Sequence, residues 1–232
     1  MNQKILRGRY KTERRRMSTY NFFYNGLIFV AFLFASVAFF FGYKRFGILS
    51  LLLLITSIVE ITVLILLKKR IDFTWIYHLY NLVEYTLLIL FLRPVIKSKE
   101  VFNILTLSIP IFLIIGFSIS LFFYHFKNFP GININIEGLL LFLICAYILF
   151  TLEVIEHKSI LTNPNLWICS GVLIFFGCTF LFNGVYTYIV DLDEIKGMRL
   201  FSMINRPLNI ILYLFIIIGI LCLPIRKRPI IL

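Results

Sequence analysis

Long apolar runs, separated by short polar segments, extend over most of the chain. Seven of these runs have the length of a membrane-spanning helix, which takes about 20 mostly apolar residues. Their approximate limits are 22–42, 46–67, 75–92, 101–123, 134–152, 166–190 and 204–223. A transmembrane β-barrel would instead show short segments in which apolar and polar residues alternate. The pattern therefore predicts an all-α polytopic membrane protein, a bundle of seven transmembrane helices.

Composition leads to the same class. Hydrophobic residues make up 60% of the 232 residues and charged residues 15%, whereas a soluble domain has roughly 45–50% apolar and about 25% charged residues. These values exclude a soluble globular protein, a disordered chain, a collagen and a disulfide scaffold. A net charge of +12 would suggest nucleic acid as the partner of a soluble protein, but here the charges lie between apolar runs. We therefore expect the lipid bilayer, and not nucleic acid, as a partner.

A basic N-terminal tail sets the expected orientation. Residues 1–20 form this tail, and its lysines and arginines lie directly before the first span. Such a cluster stays in the cytoplasm and can rest on anionic headgroups. Residues 21–224 then form a single transmembrane domain, and residues 225–232 a short basic C-terminal tail. The loop charges alone slightly favour the opposite orientation, but the tail outweighs them. We therefore expect a multi-pass cell-membrane protein with a cytoplasmic N-terminus and an external C-terminus.

Cysteines and prolines within the apolar runs have structural interpretations. The four cysteines show no paired short spacing, which indicates small buried hydrophobic side chains rather than disulfides or metal ligands. Pro110 lies in the middle of the fourth span and is expected to kink it, which neighbouring helices make tolerable. Pro207 is expected in the first turn of the seventh helix, where a missing N–H costs little.

Polar side chains gather in one half of the membrane. At about 1.5 Å per residue, Glu60 lies about 10 Å from the end of the second span and Glu84 about 14 Å into the third. Because successive helices reverse direction, both depths are measured from the same membrane face. The same half also contains Asn25, His78, Asn81, Ser118, Ser120, Glu137, Asn183 and Asn209. Since polar groups inside spans usually face the bundle interior or a water-filled cavity, we expect a shared polar pocket.

The third span has a polar face. Six residues fall within about a third of its circumference at helical spacing. They are Thr74, Tyr77, His78, Asn81, Glu84 and Tyr85, and the opposite face carries Ile76, Leu79, Leu82 and Leu87. A polar, aromatic-rich face on an otherwise apolar helix is typical of a cavity wall.

These observations define a predicted ligand or proton site, in which Arg206 is the candidate counter-ion for a carboxylate. The site consists of Glu60, Glu84, His78, Asn81, Tyr77, Tyr85, Asn183, Asn209, Glu137 and Arg206. An alternative is that the two central glutamates are protonated and hydrogen-bonded, and only hold helices together. We favour the ligand or proton site, because two intramembrane carboxylates exceed what such a structural role requires.

Several catalytic and cofactor signatures are missing from the sequence. The seventh span has no lysine for a retinal Schiff base, and the three histidines lack the spacing of a zinc site. The sequence contains no G-x-S-x-G nucleophile motif and no phosphate-binding loop. A Pro-Gln pair of the kind found in 3+1+3 sugar transporters is also missing, although Glu60 and Asn183 occupy matching depths in spans two and six, as that layout would place them. We therefore predict no catalytic residues, no metal and no cofactor, which favours a protein that is not an enzyme.

Four segments resemble a group of uncharacterised bacterial seven-helix membrane proteins. These segments are Thr56–Glu60, Tyr77–Tyr85, Trp167–Asn183 and Asn205–Tyr213. The resemblance implies seven helices and a role for Glu60 and Glu84, and it implies no activity.

The sequence leaves three functions open. The first is a sensor-like binding protein, whose carboxylate-lined cavity receives a small ligand or lipid headgroup and signals through a partner protein or a second copy. The second is a proton-coupled transporter of a small solute, because two neighbouring carboxylates can share and exchange a proton. The third and weakest is a lipid-modifying enzyme with a carboxylate as general base, since no nucleophile or metal set accompanies the acids.

Overall fold

The chain forms seven α-helices, two one-turn 3-10 helices and no strand within the residues that its computed structural model describes, which are 23–152, 159–192 and 194–224. The side chains of residues 185–199, 201 and 202 are not described. The helices are α1 Phe23–Phe40, α2 Arg45–Lys69, α3 Thr74–Leu92, α4 Lys99–Phe122, α5 Gly131–Phe150, α6 Pro164–Leu192 and α7 Glu194–Leu221. All seven are long and apolar enough to cross a membrane, which confirms the predicted seven-helix architecture. Both predicted basic tails, residues 1–20 and 225–232, lie outside the described residues.

Local hydrogen bonds set the turn between α2 and α3. At the end of α2, Arg70 adopts a left-handed backbone conformation, and its N–H bonds to the carbonyls of Leu66 and Leu67. At the start of α3, the Asp72 carboxylate accepts hydrogen bonds from the N–H of Thr74 (2.9 Å) and from its hydroxyl (2.7 Å). These contacts reverse the chain within four residues, so α2 and α3 lie antiparallel. The membrane face at this turn is called the α2–α3 face, and the opposite one the α1–α2 face.

Six helices surround a common interior, and α4 lies outside them. Helix α3 packs against α2, α4 and α5, while α6 packs against α5 and α7. Helix α1 closes the ring, because Tyr24 contacts Glu60 of α2 and Asn209 of α7. Large apolar side chains of α4, such as Ile114 and Phe122, are exposed in the isolated chain, as expected for a surface that faces lipid.

Close packing fills the half of the bundle next to the α1–α2 face. On α1 the buried residues are Ile28, Ala31, Ala35 and Ala38, at alternating spacings of three and four. Small residues at this spacing let helices approach closely, and the Ser36 and Ser50 hydroxyls of α1 and α2 lie 2.7 Å apart. This half therefore has a dry core, which leaves the α2–α3 half for polar side chains.

Helix α7 corrects the sequence prediction at its start. It begins at Glu194 rather than near residue 204, and α6 continues to Leu192 rather than 190. The predicted spans followed hydropathy, which falls at the charged residues between 191 and 199, so the helical turns in this polar stretch escaped it. As a result, Pro207 lies inside α7 rather than in its first turn, and the earlier expectation for it was wrong. Pro110 lies inside α4, as predicted.

Candidate functional site

A cavity of about 560 Å³ lies in the half of the bundle next to the α2–α3 face. All of the helices except α4 contribute to its wall, together with Phe73 and Phe129 just before α3 and α5. Its polar lining consists of Tyr24, Asn25, Thr56, Glu60, Tyr77, Tyr80, Asn81, Glu84, Glu137, Thr179, Asn183, Asn205, Arg206, Asn209 and Tyr213. Eight of the ten predicted site residues are in this set, and His78 and Tyr85 are not.

The two central carboxylates lie near the middle of their spans. Glu60 is followed in α2 by nine residues up to Lys69, which corresponds to about 14 Å along the axis. Glu84 lies ten residues after Thr74 in α3, or about 15 Å. Because the hydrocarbon core is about 30 Å thick, the cavity reaches from the α2–α3 face to about the membrane centre.

A hydroxyl chain holds Glu84. The Tyr80 hydroxyl donates to Glu84 Oε1 at 3.0 Å and lies 2.8 Å from Thr56 Oγ1. The Thr56 hydroxyl donates to the Leu52 carbonyl at 2.9 Å. The chain thus orients the Glu84 carboxylate from α2 and from the preceding turn of α3.

Glu60 is held more loosely. The Tyr24 hydroxyl lies 3.4 Å from Glu60 Oε1 and 3.5 Å from Asn209 Oδ1, distances at the long end of hydrogen bonding. Asn209 is fixed by its own amide, which donates to the Asn205 carbonyl at 2.8 Å and to its side-chain oxygen at 3.2 Å. The Tyr24 and Tyr213 rings pack at 5.9 Å between centroids. Tyr24 therefore connects α1, α2 and α7 at the cavity wall.

Glu137 is the third cavity carboxylate and is only 1% exposed. The Asn81 Nδ2 donates to Glu137 Oε2. At the cavity, Glu137 Oε1, Asn81 Oδ1 and Asn183 Oδ1 have no hydrogen-bond partner among the described residues, and outside it neither do Asn133 Oδ1 and Asn135 Oδ1. Buried polar atoms in folded proteins nearly always have a partner, so these five oxygens are unusual.

The carboxylates form one electrostatic cluster. Glu60 of α2, Glu84 of α3 and Glu137 of α5 line the same cavity, so three acidic side chains share one confined space. Of the described residues that line the cavity, Arg206 alone is basic. Like charges in a low-dielectric site repel strongly, and a buried charge is costly unless it is paired. This arrangement favours binding of positive charge or protons.

His78 and Tyr85 lie away from the cavity, between α3 and α4. His78 is fully buried, with Nδ1 2.9 Å from Ser120 Oγ and Nε2 2.8 Å from the Asn128 carbonyl. The Tyr85 hydroxyl donates to Ser108 Oγ at 2.8 Å. The polar face of α3 is wide enough to meet two neighbours, and these two residues lie at the edge that faces α4. The part of α3 that lines the cavity is therefore narrower than its polar face, and the prediction that His78 and Tyr85 line the cavity was wrong.

Sequence reasoning missed six polar residues of the cavity wall. They are Tyr24, Thr56, Tyr80, Thr179, Asn205 and Tyr213. Five of them lie four residues from a predicted site residue, as Thr56 does from Glu60 and Tyr80 from Glu84. Residues four apart share a helix face, so polar pairs at this spacing inside apolar spans were the signal.

Comparison with known proteins gave no match to a protein-family model, to a curated protein or to a solved structure. No group of three or more histidine, cysteine, aspartate or glutamate side chains arranged for a metal ion occurs within the described ranges. The geometry of the cavity therefore carries the functional interpretation.

Proposed function

We propose that this seven-helix membrane protein binds a small ligand inside the bundle, in the carboxylate-lined cavity. The observation that carries the proposal is the convergence of three glutamates and several amides from six helices on one space of about 560 Å³. This volume lies within the range of small-molecule sites, which is about 300–1,000 Å³.

The alternative, that the glutamates only hold helices together, explains fewer features of the cavity. Side chains that only hold helices together pair with one another across an interface, as His78 does with Ser120. Buried oxygens without a partner among the described residues occur at the cavity, on Glu137, Asn81 and Asn183, but also on Asn133, which bonds to Ser120 outside it. What sets the cavity residues apart is that they line an open space of about 560 Å³, which supports a binding role.

In the proposed complex, Glu60 and Glu84 hold the charged or donor group of the ligand. Asn81, Asn183 and Asn209 orient it, and aromatic side chains enclose it. Because the wall is built from six helices, occupancy would alter how they pack, and a partner protein or a second copy would read that change. The protein would then act as a membrane sensor.

The test compares thermal stability of the purified full-length protein in detergent at about pH 5 and about pH 8, where carboxylate ionisation linked to folding becomes visible. Glu60→Gln and Glu84→Gln are expected to change both the stability and its pH dependence. Glu100→Gln is the matched control, because Glu100 is exposed in the first turn of α4. Should both cavity variants behave like the wild type at both pH values, the proposal is wrong.

A second candidate function is proton-coupled transport, and one observation favours it. At the α1–α2 face, Arg45 Nη2 donates to Asn165 Oδ1 at 2.7 Å, which joins α2 to α6. A site near the membrane centre, with the far end closed by such a contact, is the arrangement that alternating access requires. Solute flux into liposomes that is driven by a pH gradient and lost in Glu84→Gln would favour transport. Ligand binding without flux would favour the sensor.

A further inference from the structure

We infer that the ligand is an organic cation with N–H donors, such as a primary amine or a polyamine. This inference rests on the proposed function and narrows it to one chemical class. Its basis is the set of unpartnered acceptors in the cavity, together with the charge and the aromatic character of the wall.

The buried acceptors are the first argument. Glu137 is 1% exposed, Asn81 2% and Asn183 7%, and each has a side-chain oxygen without a donor among the described residues. They come from α5, α3 and α6 and line the same cavity. A buried acceptor without a donor costs free energy. These oxygens have almost no accessible surface in the structure, so a ligand that supplies several donors would remove that cost once the side chains turn toward the cavity.

The amide orientations are the second argument. Asn81 uses its Nδ2 on Glu137, and Asn209 uses its Nδ2 on Asn205. Turning either amide over would bring oxygen against oxygen. Their donors are therefore engaged within the protein. Asn209 Oδ1 accepts in turn from the Tyr24 hydroxyl at 3.5 Å, so of these two amides Asn81 has the oxygen without a donor among the described residues. A carboxylate or phosphate ligand would add a further acceptor beside it and be repelled.

The charge balance is the third argument. Arg206 can neutralise one of the three cavity carboxylates, so two negative charges need a partner when all three are ionised. Burying unpaired charge in a low-dielectric interior is strongly unfavourable. A bound cation would pair with them, whereas with a neutral ligand these carboxylates would have to take up protons instead.

The wall distinguishes an organic cation from a metal ion or a proton. Eight aromatic side chains line the cavity: Tyr24, Phe73, Tyr77, Tyr80, Phe129, Phe175, Phe176 and Tyr213. Aromatic faces attract ammonium groups through their quadrupoles and also pack against the attached carbon chain. A cavity of about 560 Å³ is also far larger than a bare ion needs.

The experiment measures binding of matched probes to the purified full-length protein in detergent, at neutral pH and constant ionic strength. The cations are phenylethylamine and spermidine. Phenylethanol replaces the amine of the first with a hydroxyl, and citrate serves as an anion. Isothermal titration and thermal shift are the readouts. We expect at least one amine to bind at up to millimolar concentration, and phenylethanol and citrate not to bind.

The variants locate the site. Glu137→Gln is expected to weaken amine binding by about 30-fold or more, the effect of removing one partner of a buried charge pair. The same variant need not unfold the protein, because a glutamine amide can still bond to Asn81. Glu100→Gln should bind as the wild type does. If Glu137→Gln binds the amine with unchanged affinity while it remains folded, the amine is not held in this cavity and the inference is wrong.

The probes also separate this inference from the proposed function. Binding of phenylethanol or citrate that depends on Glu84, without binding of either amine, would keep the cavity as a ligand site and overturn the cationic class. Failure of both amines to bind would overturn that class as well. The proposed function itself fails only if Glu60→Gln and Glu84→Gln also leave the pH-dependent stability unchanged.

Discussion

Tyr77 and His78 are neighbours in the sequence, yet their side chains serve different interfaces. Tyr77 lines the cavity, whereas His78 lies between α3 and α4 with both ring nitrogens in hydrogen bonds. Adjacent helical residues point about 100° apart, so one face of α3 supplies the candidate site and the adjoining face its support. A structural residue and a site residue should respond differently to substitution.

His78→Phe tests this division. The phenyl ring leaves the Asn128 carbonyl without the His78 donor and removes one of the two side-chain contacts of Ser120, which keeps Asn133, so we expect a loss of about 1–3 kcal/mol in the free energy of unfolding. Affinity for the amine per folded molecule should stay near that of the wild type. Denaturant unfolding and titration calorimetry measure the two effects. A loss of affinity as large as that of Glu84→Gln would instead place His78 in the site.

At the residue scale, the sequence was enough to predict which polar residues share one membrane half. It was not enough to predict which side chains they contact. Glu60, Glu84 and Asn183 were assigned to one membrane half because alternate helices reverse direction, and all three line the cavity. Tyr85 shares the polar face of α3 but contacts Ser108 of α4. The helix that packs against a given face of α3 is determined by the packing of the whole bundle. The residue pattern of α3 alone does not determine it.

At the scale of elements, the start of α3 depends on Asp72. Two hydrogen bonds from Thr74 hold the pKa of the Asp72 carboxyl below its usual value of 3.8. A carboxyl with a lowered folded-state pKa stabilises the fold above its unfolded-state pKa, and this contribution disappears as the pH falls through the folded-state pKa.

Asp72→Ala should therefore be less stable than the wild type at neutral pH, and the difference should vanish in acid below the usual value of 3.8. Asp72→Asn is the control, because it keeps an acceptor for Thr74 without the charge, so it should lose less. Thermal unfolding across this pH range is the measurement. A difference that persists unchanged in acid would show that the carboxylate does not act through these bonds.

The position of Pro207 inside α7 leads to the next prediction. Proline lacks the N–H that would bond to the carbonyl four residues earlier, so it bends a helix interior. Pro207 lies between Asn205 and Asn209, which both line the cavity, so we expect the bend close to these two amides. Pro207→Ala should straighten α7, shift these two amides and weaken ligand binding.

Thermal stability should stay the same or rise in this variant, because the backbone hydrogen bond is restored. The matched control is Pro110→Ala, since Pro110 interrupts α4, which contributes no residue to the described cavity wall. Its ligand affinity should match that of the wild type. Equal affinities in both variants and the wild type would mean that the bend of α7 does not shape the site.

At the scale of the whole molecule, the bilayer explains why the architecture was predictable. A chain in lipid must satisfy its backbone hydrogen bonds internally, so seven long apolar runs leave few alternatives to seven helices. The bilayer does not, however, determine which helices lie next to one another. That α1 contacts both α2 and α7, and that α4 lies outside the ring, depends on side-chain fit, which hydropathy does not report.

The last prediction asks whether the two ends of the bundle are coupled. Arg45 lies fifteen residues before Glu60 in α2, or about 22 Å along the axis, so it cannot touch a ligand at the carboxylates. If the contact between Arg45 and Asn165 closes the far end, Arg45→Leu should populate a second arrangement of the helices. Ligand affinity should then change by about 5-fold or more, the lower range of measured couplings between sites.

Arg93→Leu is the control on the same face, because Arg93 contacts Thr106 and Phe102 of α4, outside the ring. Its affinity should equal that of the wild type. Titration calorimetry on both variants decides between two mechanisms. A shift confined to Arg45→Leu requires a bundle with two states, as transport or signalling does. Equal affinities in all three proteins would mean a rigid binding site, and the contact between Arg45 and Asn165 would then only join α2 to α6.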